Sequence, residues 1–260
     1  MPLAFGPAPG PRNLPANQRR RRYEKELISF TISARTDADL LVRFLPEGIS
    51  LTGEARLEVS VTCFRKIGWL AGRGYDILMV RIPACWEESG AAHSGYFVPV
   101  VWENMADPII TGREELGWSK IYADIDVSSA GFDSWHCLAS WDGHRFFELE
   151  AAGFEVLSAN GSPPPLPMVF EKYVPATGSP LSPDARYLTI NELEGPPPLV
   201  RSIAKGSGTF GFRPATWEEM PTQFPIATAL ASLPLHEFSS VIRLEASGGG
   251  DGSGQRKLAI

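Results

Sequence analysis

Between positions 56 and 64 the chain alternates strictly: Leu57, Val59, Val61 and Cys63 share one face, and Arg56, Glu58, Ser60 and Thr62 the other. A period of two marks a strand whose apolar side packs on a core, and a helix cannot satisfy it. Further short β-rich runs follow at 27–33, 77–82, 95–101, 121–127 and 135–141. They are not interleaved with the long helices that a doubly wound parallel sheet needs, and no segment repeats at a fixed period. The pattern predicts an α+β, mostly antiparallel chain, with a closed β-barrel core and a few flanking helices.

The helical signals are short. Asp37 is placed to cap a helix over 37–44, with Leu40, Leu41 and Phe44 on its apolar side and Pro46 as the stop. A second helix is expected around 217–220 or 227–233, in a region cut up by Pro221, Pro225 and Pro234. The proline runs at 163–165 and 196–198 read as loops between strands, since proline donates nothing to a central ladder. A chain of 260 residues commonly stays one barrel domain. We assign 1–22 as a mobile Pro/Arg-rich leader, 23–246 as the domain and 247–260 as a Gly/Ser-rich tail, mobile unless a partner subunit orders it.

Bulk properties exclude several classes. With 43% hydrophobic and 21% charged residues the chain has the composition of a folded globular protein. A net charge of -6 argues against a nucleic-acid binder, which needs a basic footprint. The four arginines at 19–22 read as a solvated arm in preference to a nuclear signal or an anionic-lipid contact. No run approaches a membrane span and the N-terminus lacks the apolar core of a signal peptide, so a cytoplasmic protein without membrane contact is expected. Cys63, Cys85 and Cys137 read as three reduced thiols, and His93, His136, His144 and His236 show no metal-ligand spacing. The adjacent His136 and Cys137 point to opposite faces of a strand, which disfavours a nucleophilic pair.

One stretch concentrates turn formers, charges and an aromatic between two strands: Gly112-Arg113-Glu114, then Gly117-Trp118-Ser119-Lys120. It resembles the signature of the acetoacetate decarboxylase family, in which a Gly-Arg-Glu triplet precedes a small residue, an aromatic, a proline and two lysines. Lys120 falls on the Schiff-base lysine of that signature with no gap from the triplet. Upstream, Ala34-Arg35-Thr36-Asp37 and Leu45-Pro46-Glu47-Gly48 are similar to the family's Arg-Thr-Asp and Val-Pro-Glu elements. The similarity spans most of 27–127 and breaks into fragments beyond residue 130.

What the resemblance implies is amine chemistry. A free lysine, with a pKa near 10.4, is almost wholly charged at neutral pH, and only the neutral amine attacks a ketone. Burial or a neighbouring cation lowers that value, acetoacetate decarboxylase itself being a standard case. The iminium then serves as an electron sink for breaking a C–C or C–H bond beside it. No metal or organic cofactor is required. Two departures matter: Ile121 replaces the second lysine, and Leu27 stands where the family carries an arginine near the substrate carboxylate.

Other candidates are assigned around Lys120. Arg73, between Gly72 and Gly74, is a replacement carboxylate clamp or else a surface turn. Tyr75 is a proton donor or acceptor for the iminium-linked substrate, or a ring packed on the barrel wall. Glu58 aligns with a family glutamate, and either faces the cavity as a catalytic residue that moves protons in place of Tyr75, or pairs with an arginine. Arg113 and Glu114 are read as supporting residues and Trp118 as part of the substrate site. Family members that similarly lack the second lysine include aldolase-dehydratases, so the resemblance implies a homo-oligomeric Schiff-base lyase that joins pyruvate to an aldehyde and expels water. Acetoacetate decarboxylation by the same lysine, and a non-catalytic barrel binding a small ligand, stay open at this point.

Overall fold

A computed structural model describes residues 10–131, 133–157, 166–192, 195–252 and 254–259. Fourteen strands dominate: β1 (Glu26–Arg35), β2 (Ser50–Leu51), β3 (Arg56–Ile67), β4 (Arg73–Glu88), β5 (Ala91–Glu103), β6 (Lys120–Tyr122), β7 (Asp124–Ser129), β8 (Ser134–Trp141), β9 (His144–Val156), β10 (Met168–Ala176), β11 (Ser179–Asn191), β12 (Leu199–Phe212), β13 (Val241–Ser247) and β14 (Gln255–Lys257). Three short α-helices accompany them: α1 (Ala38–Leu41), α2 (Ala106–Ile110) and α3 (Phe224–Ala231).

The strand and cap signals find their elements. The Asp37 side chain accepts from the Leu40 N–H at 3.1 Å, and the helix it starts tightens into a 3₁₀ turn at Val42–Phe44. Of the two expected positions for a later helix, α3 takes the second; 217–220 forms turns. Residues 196–198 lead into β12 without regular structure, whereas 163–165 lie outside the described residues. The run 121–127 is divided at Ala123, because β6 pairs with β5 and β7 pairs with β8.

The sheet runs β14-β11-β10-β5-β4-β3-β1-β13-β12-β9-β8-β7, with β2 on β4 and β6 on β5. The ladders are antiparallel except for β10 and β6, which both lie parallel to β5. The expected closed barrel is therefore corrected: this path does not close. The second edge of β5 is occupied by β10 at Tyr96 and Phe97 and by β6 at Val101 to Glu103, which leaves β7 with a ladder to β8 alone among the described residues. The sheet still wraps one main core, to which strands from both arms of the path contribute, among them Phe30, Val59, Val80, Trp102, Cys137 and Phe147. Burying an aliphatic or aromatic side chain of this kind contributes roughly 1.5–3 kcal/mol.

The opposite face of β3 and β4 carries Glu58, Ser60 and Thr62 beside Tyr75, Ile77, Met79 and Arg81, as the period-two alternation requires. It is not a solvated face: Ser60 and Thr62 are each 7% exposed, and Ile77 and Met79 join Val98, Val101 and Phe170 in a second apolar cluster. The tail expected to be mobile supplies β14, which pairs with β11, and Arg256 grips Glu88 at 2.6 Å and Glu192 at 2.7 Å. In the leader, residues Pro11–Asn13 and Ala16–Tyr23 form 3₁₀ turns, and Arg12 reaches Glu115 at 2.7 Å. The arginines at 19–22 are not all free in solvent, since Arg21 pairs with Glu24 at 3.0 Å and Arg22 with Asp251 at 3.5 Å.

Candidate active site

Strand β6 enters the sheet parallel to β5, placing Lys120 opposite Val101 and Tyr122 opposite Glu103. The parallel pairing requires a crossover, and the Gly-Arg-Glu stretch is that crossover: α2, then one π-helical turn at Thr111–Leu116, closed by Gly117 in the left-handed region at φ 77°. A side chain at Gly117 is excluded twice over, by that φ and by the Thr189 methyl 2.8 Å from where a Cβ would stand. Asn104, just beyond β5, anchors the start of the crossover: its amide oxygen accepts from the Asp76 N–H at 2.8 Å and its amide donates to the Asp76 carboxylate at 3.2 Å.

The crossover encloses the amine. Lys120 is 5% exposed, and its stem lies so close to Gly112 that a Cβ there would sit 2.3 Å from Cδ and 2.5 Å from Cε. The glycine of the triplet is thus a slot for the lysine. Lys120 Nζ donates to the Pro108 carbonyl at 3.2 Å and lies 4.8 Å from the centroid of the Trp118 ring. Trp118 is itself stacked on Phe170, with centroids 4.5 Å apart, and its indole N–H donates to Gln255 at 3.0 Å. Arg113 donates to the Lys120 carbonyl at 3.0 Å, which fixes the backbone that aims the amine.

The partner of the amine is Glu103. Lys120 Nζ is 2.7 Å from Glu103 Oε1, and the two side chains are 6% and 1% exposed. The other oxygen, Oε2, is buried without a hydrogen-bond partner. Burial pushes the Glu103 carboxyl above the ordinary carboxylate value, and the Lys120 charge pulls it back only in part. Tyr75 lies on the other side of Glu103. Its phenol is held well above its usual value, by burial first and by the Glu103 charge second, so it stays protonated. The Tyr75 ring leans on Phe64, with centroids 5.3 Å apart.

Lys120 is thus brought against Glu103, with Trp118 beside the amine, Tyr75 within the field of the Glu103 charge and Arg113 behind. Three expected residues are not brought to this pair. Arg73 is exposed on the turn at the start of β4 and donates to the Leu70 carbonyl at 3.2 Å, so its two glycines serve a surface turn. Glu114 is exposed; its backbone carbonyl accepts from Lys172 at 2.7 Å. Glu58 faces the same side of the sheet as the site, but a cross-strand ion pair with Arg81 at 2.8 Å holds it there, with the Tyr96 hydroxyl at 3.4 Å. Glu103 was absent from the sequence candidates. Its one linear signal is an acidic residue ending an apolar run, Val98 to Trp102, just before the crossover.

Two of the clefts among the described residues have volumes of about 430 and 330 Å³, and neither of these is lined by Lys120. One group of the described residues has metal-ligand chemistry, His136, Glu148 and Glu150 on β8 and β9. There His136 Nε2 lies 2.7 Å from one Glu148 oxygen, and Arg213 takes the other at 2.9 Å.

Comparison with known proteins gives one consistent picture. The family described as acetoacetate decarboxylase (ADC) matches residues 1–243. No curated protein sequence matches. Among solved structures, an acetoacetate decarboxylase superposes with a TM-score of 0.71 at 17% identity, over 91% of this chain and 89% of that one. The enduracididine biosynthesis enzyme MppR, complexed with the condensation product of pyruvate and imidazole 4-carboxaldehyde, superposes with a TM-score of 0.67 at 16% identity, over 91% and 89%. An acetoacetate decarboxylase-like enzyme from Sphingomonas wittichii RW1 superposes with a TM-score of 0.66 at 16% identity, over 90% and 91%. At these identities the structural likeness establishes the fold.

Proposed function

The chain belongs to the acetoacetate decarboxylase family, and on that footing we propose that it is a Schiff-base lyase that joins pyruvate to an aldehyde and expels water. The observation that carries this reading is the buried Lys120–Glu103 contact of 2.7 Å, with the second carboxylate oxygen unoccupied. Decarboxylation beside an iminium needs no base, because the leaving carboxylate supplies the electron pair. Condensation needs one, to take a proton from carbon. A carboxylate held against the amine, with its affinity for protons raised by burial, suits that task.

The steps follow from the atoms present. Glu103 takes a proton from the Lys120 ammonium, the neutral amine adds to the pyruvate ketone, and the carbinolamine hydroxyl takes that proton back from Glu103 and leaves as water, giving the iminium and an ionised Glu103. Glu103 then removes a methyl proton, and the C–H electrons move into the iminium to form an enamine. The enamine carbon bonds to the aldehyde carbon, whose oxygen takes a proton from Tyr75 or protonated Glu103. Removal of a second proton and departure of that oxygen as water leave a conjugated iminium. Hydrolysis then releases the unsaturated keto acid and restores the amine. Trp118, stacked on Phe170, lies against the amine, and Ile121, in place of a second lysine, leaves Glu103 as the charged group in contact with it. The MppR complex with a pyruvate–aldehyde condensation product supports this choice within the family.

The same footing supports a cytoplasmic homo-oligomer working without metal or organic cofactor. Among the described residues, no helix is long and apolar enough to cross a membrane. The test is to incubate the protein separately with pyruvate and acetoacetate, reduce with borohydride, and map the adduct by mass, with Lys120→Ala as control. An adduct confined to Lys120, with a conjugated product from pyruvate plus aldehyde and no carbon dioxide from acetoacetate, is expected. Release of carbon dioxide would replace condensation by decarboxylation, and absence of any Lys120 adduct would leave a ligand-binding protein.

A further inference from the structure

The ladder register arranges the site face of the sheet in rows. Lys120, Val101, Met79 and Ser60 follow one another across β6, β5, β4 and β3. In the next row Glu103, Ile77 and Thr62 are followed by Ser29 on β1. An apolar floor of Ile77 and Met79 therefore separates the Lys120–Glu103 pair from three hydroxyls. With ladders about 4.8 Å apart, the backbones at Glu103 and Thr62 are about 10 Å apart.

The three hydroxyls are unusual for the outer side of a strand. Ser60 and Thr62 are both 7% exposed, so they do not serve solvation. Ser29 Oγ and Thr62 Oγ1 bond well at 2.8 Å, whereas Ser60 Oγ has only long contacts, 3.4 Å to Ser29 and 3.5 Å to Thr62. Ser60 thus holds a buried hydroxyl that a ligand can engage at little cost. In the row beyond Ser60, Arg81 and Glu58 cancel each other's charge at 2.8 Å. The wall as a whole is polar and neutral.

We infer that Ser60, with Ser29 and Thr62 behind it, is the subsite for the far end of the aldehyde, and that it selects a short, neutral, hydroxyl-bearing acceptor over an alkyl or anionic one. The inference rests on the condensation reading above. The span agrees: the ladder spacing of about 10 Å from Glu103 across Ile77 to Thr62 is bridged by an enamine of three carbons on Lys120 together with an acceptor of only a few heavy atoms. An anionic acceptor meets the Glu58 carboxylate alongside Arg81 and gains no net charge attraction.

Glycolaldehyde and propanal have the same number of heavy atoms and differ in one hydroxyl, and glyoxylate supplies the anionic case. The experiment compares kcat/KM for the three with pyruvate as donor, for the wild type and for Ser60→Ala and Thr62→Val, singly and together. Borohydride trapping of pyruvate on Lys120 reports the donor half-site in each variant. The wild type is expected to prefer glycolaldehyde over propanal by about tenfold or more, the scale of one well-placed hydrogen bond. The double variant should lose that preference while keeping its pyruvate adduct and its rate on propanal. Equal loss on both aldehydes, no change on either, or a wild-type preference for glyoxylate would overturn the subsite. Failure of the wild type to trap pyruvate at all would remove the condensation reading itself, and this inference with it.

Discussion

Gly112→Ala separates the chemistry of the site from its stability. The new Cβ would stand 2.3 Å from Lys120 Cδ, 2.5 Å from Cε and 2.9 Å from Nζ. Carbon atoms in contact prefer about 3.5–4.0 Å, so the stem must move by roughly 1.2–1.7 Å. The atoms that yield are the end of a flexible side chain. Alanine also improves helical propensity over glycine by about 1 kcal/mol. Melting should therefore change little, by no more than the equivalent of about 1–2 kcal/mol. The amine, however, leaves its 2.7 Å contact with Glu103. Misplacement on the 1 Å scale commonly costs about 10²-fold in rate. Single-turnover trapping of pyruvate, quenched with borohydride and read by intact mass, should slow by that order while the melting curve stays in place. A wild-type trapping rate in a folded Gly112→Ala protein would refute the slot, and joint loss of folding and trapping would show that Gly112 serves general packing.

Glu103→Gln should retain the pyruvate adduct but slow deuterium exchange into the pyruvate methyl group by about 10²–10⁴-fold, the usual worth of a positioned base, as proton NMR would show. In the wild type, that exchange should rise with pH through the Glu103 pKa, at a pH above the ordinary carboxylate range, since the base must be ionised. The stability sign is opposite. A carboxyl whose folded pKa is raised stabilises most below its unfolded value of about 4.5 and loses that contribution as pH rises through the folded value, so Glu103→Gln should gain on the wild type in melting scans from pH 4.5 upward. Tyr75→Phe keeps the ring against Phe64 and should melt normally, while condensation falls by about 10²-fold, because a general acid next to Glu103 is lost. Gly117→Ala, at φ 77° and 2.8 Å from Thr189, should lower stability by about 1–3 kcal/mol in denaturant titrations; an unchanged midpoint would show that the crossover relaxes freely.

What was legible in the linear chain depended on short-range periodicity and spacing. Alternation over 56–64 set the two faces of β3, Asp37 announced its helix, and the gap from Gly112 to Lys120 marked the amine, because cap, strand and crossover each act within a few residues. The partner of that amine was not legible. Glu103 meets Lys120 only because β6 pairs in register with the end of β5, a pairing between segments 17 residues apart that no local pattern encodes. The glycines around Arg73 suited a pocket or a surface turn equally well until the fold exposed them. Alternation alone left open what covers the polar face of β3, and the elements around it bury Ser60 and Thr62. The expected barrel failed to close for a related reason: β10 and β6 together occupy the second edge of β5, and that sharing is decided between strands distant in sequence. Local propensity selects the elements. Register and edge occupancy, which depend on contacts between distant segments, select the neighbours of each side chain and so the chemistry of the site.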